Sequence, residues 1–513
     1  MRIKITSEKF GESKDIILAS ILLAIALCIG VYLIITTVII AKDGVTFIEY
    51  AKNLTVSPTS TMLSQDQHPG YPLLILAAHK MTRVFYESAS IRSWIYCAQS
   101  VALIFRLLTV IALYFIGKDL AGAKFSFWAI LILILLPKPA KYGSDALSDW
   151  PHFFFLATGF LMLIRGAEGR KWWLFGFVGL TAGMGYLVRP ECAQLVVYGS
   201  LWLVPQLFWS KLAVSRRKVM SALALLLIGF LVTAGPYMKL KGAVLPKKGV
   251  GGFASNVQSH DVYDYGQRDQ THSTAIYTAS FVPSDIVGAF GKLAQNIGET
   301  LMWFFVLPLL IGIYKYFKER NWQEPGKLFI IALIALNIPL LIWLYCKHGY
   351  ISGRHTLPLV AFTIFYVPIG LQLMASWLQD RFSKKTDQIP VMEAGRQFWF
   401  LVLLAIGLSI CTPKLLTPMR TKKQSYRHGA QWLANHTEES DIIAVPDVRI
   451  SFYAQRKGLE YKAEQIPEKA KYVVRIFKKE NNKATLSEQL SRVEYRYVDK
   501  RNEKVGVVIY RNL

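Results

Sequence analysis

Three aspartates and two arginines stand beside long apolar runs, where a charged side chain needs a reason. Asp43 directly follows the first run. Asp145 and Asp149 lie just before the run that begins at Pro151, and Arg189 closes another in Val188-Arg189-Pro190-Glu191. Lys347, His348, Arg354 and His355 sit at the mouth of the runs around 328–378. A carboxylate at a membrane–water boundary loses hydration, so its pKa can rise toward that of a useful base. An i,i+4 spacing puts Asp145 and Asp149 on one face if that stretch is helical. Such a pair on a water-filled cavity can hold a divalent metal, Mg or Mn, through oxygen. Arg and Lys suit a phosphate leaving group, the first as a planar fork and the second as a point charge. The plainer readings are solvated loop acids and cations snorkelling toward headgroups. His68-Pro69-Gly70-Tyr71-Pro72 reads as a tight turn leading into an interfacial helix. Arg106 lies mid-run, where a lone Arg faces a cavity or a partner.

The elements that position these residues follow from composition. The chain has 513 residues, 53% hydrophobic and 18% charged. About eleven apolar runs of roughly 13 to 26 residues fit bilayer-spanning helices of ~20 residues each. That excludes a soluble enzyme, a fibrous protein and a disordered chain. The net charge of +25 is explained by Lys and Arg in cytoplasmic loops, so no nucleic-acid partner is expected. The five cysteines have neither metal-ligand spacing nor a disulfide framework.

The expected spans are 16–41, 93–116, 124–136, 151–164, 172–188, 192–209, 219–238, 298–314, 328–345, 356–378 and 397–411. Residues 71–86 are short and carry His79, Lys80 and Arg83, which suits a helix lying in the interface. With that assignment the inside loops hold 21 Lys and Arg and the short outside loops 10; if 71–86 crossed, the bias would reverse. The N-terminus is therefore expected in the cytoplasm. Loops 42–92, 137–150 and 239–297, and the tail from 412, are expected outside. The polar tail has strand-like runs at Ile442–Val445, Tyr472–Ile476 and Val505–Tyr510 and a helical stretch at Gln424–Asn435, which together suggest a small α/β domain. The expected organisation is a mainly α polytopic membrane helix bundle over 1–411 and an extracytoplasmic α/β domain over 412–513. Gly249-Val-Gly-Gly252 follows no strand and reads as a loop, not a phosphate cradle.

The motifs, in their order, resemble those of bacterial GT-C membrane glycosyltransferases, family 39-like, related to the dolichyl-phosphate-mannose–protein mannosyltransferases. They are Asp43-Gly44…Glu49-Tyr50-Ala51, His68-Pro69-Gly70-Tyr71-Pro72, Ser144-Asp145-Ala-Leu-Ser-Asp149, Arg189-Pro190-Glu191, Gly353-Arg354-His355-Thr-Leu-Pro358, and Gly429-Ala-Gln-Trp432-Leu…Phe452-Tyr453 in the tail. The resemblance implies a GT-C-like fold in a cell membrane, the inner membrane of a bacterium. It implies transfer of a sugar, usually with inversion, from a polyprenyl-phosphate-linked donor to a hydroxyl or amine on a lipid, glycan or protein. Asp43 is then the candidate base or acceptor anchor. Asp145 or Asp149 is the second acid, near the sugar or a metal. Arg189 and Arg354 hold the lipid phosphate, and Glu191, His355, His68 and Lys347 are further binding candidates. Two positions depart from the pattern: Gly44 stands where a second acid is common, and His355 where a Tyr is common.

A transporter or lipid flippase is the competing reading, and a non-catalytic scaffold a third. A transporter should carry ionisable or broken-helix sites near the midplane, often in repeated halves. This sequence has no internal repeat and crowds its candidates at one edge. A scaffold leaves that crowding without a cause.

Overall fold

The computed structural model describes residues 12–84, 90–208, 215–244, 286–319, 324–382, 389–461, 466–478, 492–498 and 505–512. The first apolar run forms α1 (Glu12–Ile35), which ends before the expected Ala41. Thr36 and Thr37 turn their hydroxyls back onto the carbonyls of Tyr32 and Leu33 (2.8 and 2.6 Å), and the chain then runs without helix to Ala41. Three short helices follow, α2 (Lys42–Val56), α3 (Pro58–Ser64) and α4 (Gly70–Arg83). At 14 residues, α4 reaches about 21 Å, too short to cross a bilayer core. It buries Tyr71, Ile75 and Leu76 in a small core shared with α2.

The bundle continues with α5 (Ile91–Ala121), α6 (Ala123–Leu135), the short α7 (Pro137–Tyr142), α8 (Asp149–Glu168), α9 (Leu174–Val188), α10 (Gln194–Phe208) and α11 (Arg216–Lys241). After these come α12 (Ile286–Thr300), α13 (Val306–Glu319), α14 (Pro325–His348), α15 (Leu357–Thr363), α16 (Tyr366–Phe382) and α17 (Ile389–Leu416). Small residues let the helices approach closely: a Cβ at Gly370 would lie 1.8 Å from the Pro308 carbonyl oxygen on α13.

Among the described residues, five helices are long and apolar enough to cross a membrane, or six if the bent pair α15–α16 counts as one. That is fewer than the eleven runs in the sequence. The helices α6 and α9 are apolar but short. The expected span 298–314 is broken outright. Met302 and Trp303 both take left-handed backbone (φ 56° and 61°), which a right-handed helix cannot continue, so α12 and α13 are separate. Most of the expected loop 239–297, with Gly249–Gly252, lies outside the described residues.

The C-terminal part is a mixed five-stranded sheet of order β2-β1-β3-β5-β4. Its strands are β1 (Ile442–Val445), β2 (Lys457–Glu460), β3 (Tyr472–Lys478), β4 (Arg492–Val498) and β5 (Val505–Arg511). The β1 strand pairs parallel with β2 and β3, and β5 pairs antiparallel with β3 and β4. Two helices, α18 (Gln424–His436) and α19 (Val448–Ala454), pack with it. The sheet core is Ile443, Val445, Val474, Val507 and Ile509.

Candidate active site at one end of the bundle

Asp149 opens α8 in its first turn, where the amide ends of the helix favour a negative charge. Its side chain is only 1% exposed, so charge partners are required. They come from two other parts of the chain. Arg189, just past the end of α9, donates from Nη1 to Asp149 Oδ1 at 2.6 Å. Arg354, in the turns between α14 and α15, donates from Nε to Oδ2 at 2.8 Å. The Arg354 fork also reaches α2: its Nη1 donates to Asp43 Oδ2 at 2.7 Å. Asp43 is 46% exposed. Arg354 thus joins a buried carboxylate to an open one.

Asp145 forms the second node. Its Oδ1 accepts from the backbone N–H of Ala41 (3.1 Å) and of Ala146 (2.9 Å). Its Oδ2 is paired with Nη2 of Arg420, whose Nη1 donates to the Ile39 carbonyl at 3.1 Å. The segment carrying Asp145 and Asp149 is itself buried. Gln99 donates to the Ser144 carbonyl (3.0 Å) and Trp150 to the Pro139 carbonyl (3.1 Å). Arg106 lies buried against this segment. It donates to the Ile134 carbonyl at 3.0 Å and its guanidinium is 5.8 Å from the Trp150 ring.

Five residues singled out in the sequence, Asp43, Asp145, Asp149, Arg189 and Arg354, therefore come together at one end of the bundle. Glu191 joins them through Arg189 at 3.4 Å. His355 lies against the same group. Burial first, and then Arg189, push its pKa down to about 4, so it is neutral near pH 7. Its Nδ1 accepts from Ser352 N–H at 3.3 Å, which leaves the proton on Nε2. For Arg354 burial alone would lower the pKa, but Asp149 and Asp43 outweigh it and hold the guanidinium above its ordinary range. His68 is placed elsewhere, buried between the rings of Tyr186 and Tyr237 at 5.0 and 5.3 Å. Its neighbour Gly70 sits so close to α9 that a Cβ there would be 2.7 Å from the Leu187 carbonyl oxygen. Lys347 lies at the end of α14, 5.0 Å from the Trp343 ring.

One expectation needs correction. Asp145 and Asp149 do not share a helix face, because residues 143–148 are turns and bends and the helix begins only at Asp149. The pair is also not the open oxygen set that a hard cation such as Mg or Mn requires. Each carboxylate is engaged by arginine, and no group of three or more His, Cys, Asp or Glu that could hold a metal occurs among the described residues. The donors present do not fit a divalent ion.

Sequence reasoning missed Arg420. A signal existed: Arg420, Lys422 and Lys423 form a basic group directly after the last span, on a side where the charge bias predicts few cations. The structure also accounts for Gly44. A Cβ there would lie 2.8 Å from both the Cβ and the carbonyl oxygen of Ala146, so no acidic side chain fits at this position without a shift of the backbone.

Residues 98–235 match the family model for dolichyl-phosphate-mannose-protein mannosyltransferases, which bears out the resemblance read from the motifs. The protein matches that model over part of its 513 residues. Among solved structures it is similar to ArnT from Cupriavidus metallidurans bound to undecaprenyl phosphate, with TM-score 0.57 and 13% identity over 96% of this chain and 97% of that one. It is also similar to the oligosaccharyltransferase AglB from Archaeoglobus fulgidus in complex with an inhibitory peptide and a dolichol-phosphate. There the TM-score is 0.56 and the identity 11%, over 90% of this chain and 69% of that one. Among curated proteins none matches in sequence.

Proposed function

We propose that the protein moves a sugar from a polyprenyl-phosphate donor to a hydroxyl or amine of a lipid, glycan or protein acceptor, with inversion, on the outer face of a bacterial inner membrane. In this reading the N-terminus is cytoplasmic, the membrane part spans 1–411, and 412–513 form an extracytoplasmic domain. The cluster of Asp43, Asp149, Arg189 and Arg354 carries the proposal. It combines one solvent-open carboxylate with two arginines anchored on a buried one.

The chemistry balances without a further reagent. The acceptor O–H (or N–H) attacks the anomeric carbon while the bond from that carbon to the phosphate oxygen breaks. Asp43 takes the acceptor proton and later returns it to water. The bond pair leaves with the lipid phosphate, whose growing charge is met by Arg189 and Arg354. Asp149, fully buried, aims both arginines. His355 offers Nε2–H as a neutral donor to phosphate or sugar.

The test is sugar transfer or release in proteoliposomes offered a panel of radiolabelled polyprenyl-phosphate sugars, with Asp43→Asn in parallel. Turnover by the wild type that disappears in the variant supports the assignment. A folded wild type that turns over none of the donors, whatever acceptor is supplied, overturns it.

A further inference from the structure

The stretch that delivers Asp43 is held residue by residue. Val38 N–H donates to the Met419 carbonyl at 3.3 Å. The Ile39 carbonyl accepts from Arg420 at 3.1 Å. Ile40 N–H donates to Tyr453 Oη at 3.0 Å. Ala41 N–H donates to Asp145 at 3.1 Å, and Lys42 is paired with Glu460. Asp43 is next in the chain. Four of these five partners belong to the segment after the last membrane helix or to the sheet unit; the fifth, Asp145, is itself gripped by Arg420. Apolar packing repeats the pattern. Phe452 of α19 is buried in the core formed by Ile40, Val45 and Ile48, with Val448 and Tyr453 against it. Lys52 of α2 lies 5.4 Å from the Phe452 ring. Arg420 adopts left-handed backbone (φ 57°), a conformation disfavoured in a non-glycine residue and kept only where the surroundings impose it.

From this we propose that Arg420 and Tyr453 are positioning residues for Asp43, and that the C-terminal sheet unit is a working part of the transfer site, not an accessory module. The inference rests on the proposed role of Asp43. Neither residue touches a reacting atom. Arg420 fixes backbone four residues before the carboxylate and Tyr453 three residues before it, and a displacement of about 1 Å at a reacting group can cost on the order of 100-fold in rate.

The experiment compares the full-length wild type with Tyr453→Phe, Arg420→Lys and Arg420→Ala in two measurements. The first is hydrogen–deuterium exchange of the peptide spanning residues 36–44 in the intact protein. Tyr453→Phe keeps the ring and its packing while removing the acceptor for Ile40 N–H, so exchange there should accelerate with the rest of the bundle unchanged. The second is kinetics: kcat should fall roughly 10- to 100-fold while the donor KM stays within about twofold. Arg420→Lys should recover part of what Arg420→Ala loses, because it keeps the charge beside Asp145. Wild-type turnover with Tyr453→Phe equal to it in both exchange and kcat overturns the inference. If the wild type transfers no sugar, the functional reading fails by itself and exchange alone decides: acceleration at 36–44 supports the positioning contact, and unchanged exchange overturns it.

Discussion

Two segments bring acids to the same cluster, and they are built in opposite ways. Residues 143–150 are packed from every side: Ser144, Asp145, Ala146, Ser148, Asp149 and Trp150 are all buried, and both carboxylates are engaged by arginine. Residues 36–41 form a strap hung between α1 and α2, and it leads into Asp43 in the first turn of α2, a carboxylate that water still reaches. A buried ionised acid is costly to expose to change, because removing it strands the cations around it. An open acid is cheap structurally and available to a substrate. In the proposed reaction this contrast gives aim to the buried pair and proton transfer to Asp43.

The largest effect that sharpens this contrast is Asp43→Asn. Transfer should fall by roughly 100- to 10,000-fold, the usual range for loss of a general base, with the thermal midpoint of the detergent-purified protein unchanged. Equal losses of activity and stability would erase the distinction. Asp149→Asn should behave in the other way, destabilising by roughly 3–5 kcal/mol as Arg189 and Arg354 lose their shared anion, read from denaturant unfolding.

His355 gives a pH test of burial at this end. Its pKa of about 4 lies below the ordinary ~6.5, so the folded state favours the neutral ring. That contribution is complete above about pH 6.5 and is lost as pH falls toward 4, by at most about 3 kcal/mol. His355→Gln should flatten the stability profile in that window. Gly44→Ala probes the place where the two segments abut. With only 2.8 Å to the Ala146 carbonyl, it should cost about 1–3 kcal/mol and lower kcat through Asp43. The smallest expected effect is that of EDTA. Carboxylates already matched by arginine leave no hard-cation site, so chelation should leave turnover unchanged, and a loss restored by Mg or Mn would reopen Asp145 and Asp149 as ligands.

Much of the cluster was legible because helices of known hydrophobic length return the chain to the same side. Asp43 and Arg354 are 311 residues apart, yet charge counting alone assigned them to one face. The strands from Ile442, Tyr472 and Val505 and the helix from Gln424 were legible from alternation and composition. What stayed hidden has physical reasons. Hydropathy cannot register the left-handed Met302 and Trp303, whose side chains are as apolar as the helix they interrupt. Asp145 and Asp149 looked like a helical pair because spacing carries no information about whether the backbone is helical. Arg420 and Tyr453 meet the strap only after the sheet has folded, and no local pattern encodes that meeting.

Each arginine in the resting cluster is already matched by a carboxylate, and Arg354 by two. Among the described residues, none of these three arginines is left without a carboxylate. In the proposed reaction an arriving lipid phosphate competes with Asp43 for the Arg354 fork, and winning that contest sets the carboxylate loose beside the acceptor. Substrate order follows from this: the donor enters first, and until it does the base is tied up and idle. Initial-rate patterns should then be those of compulsory-order addition, with the donor binding before the acceptor.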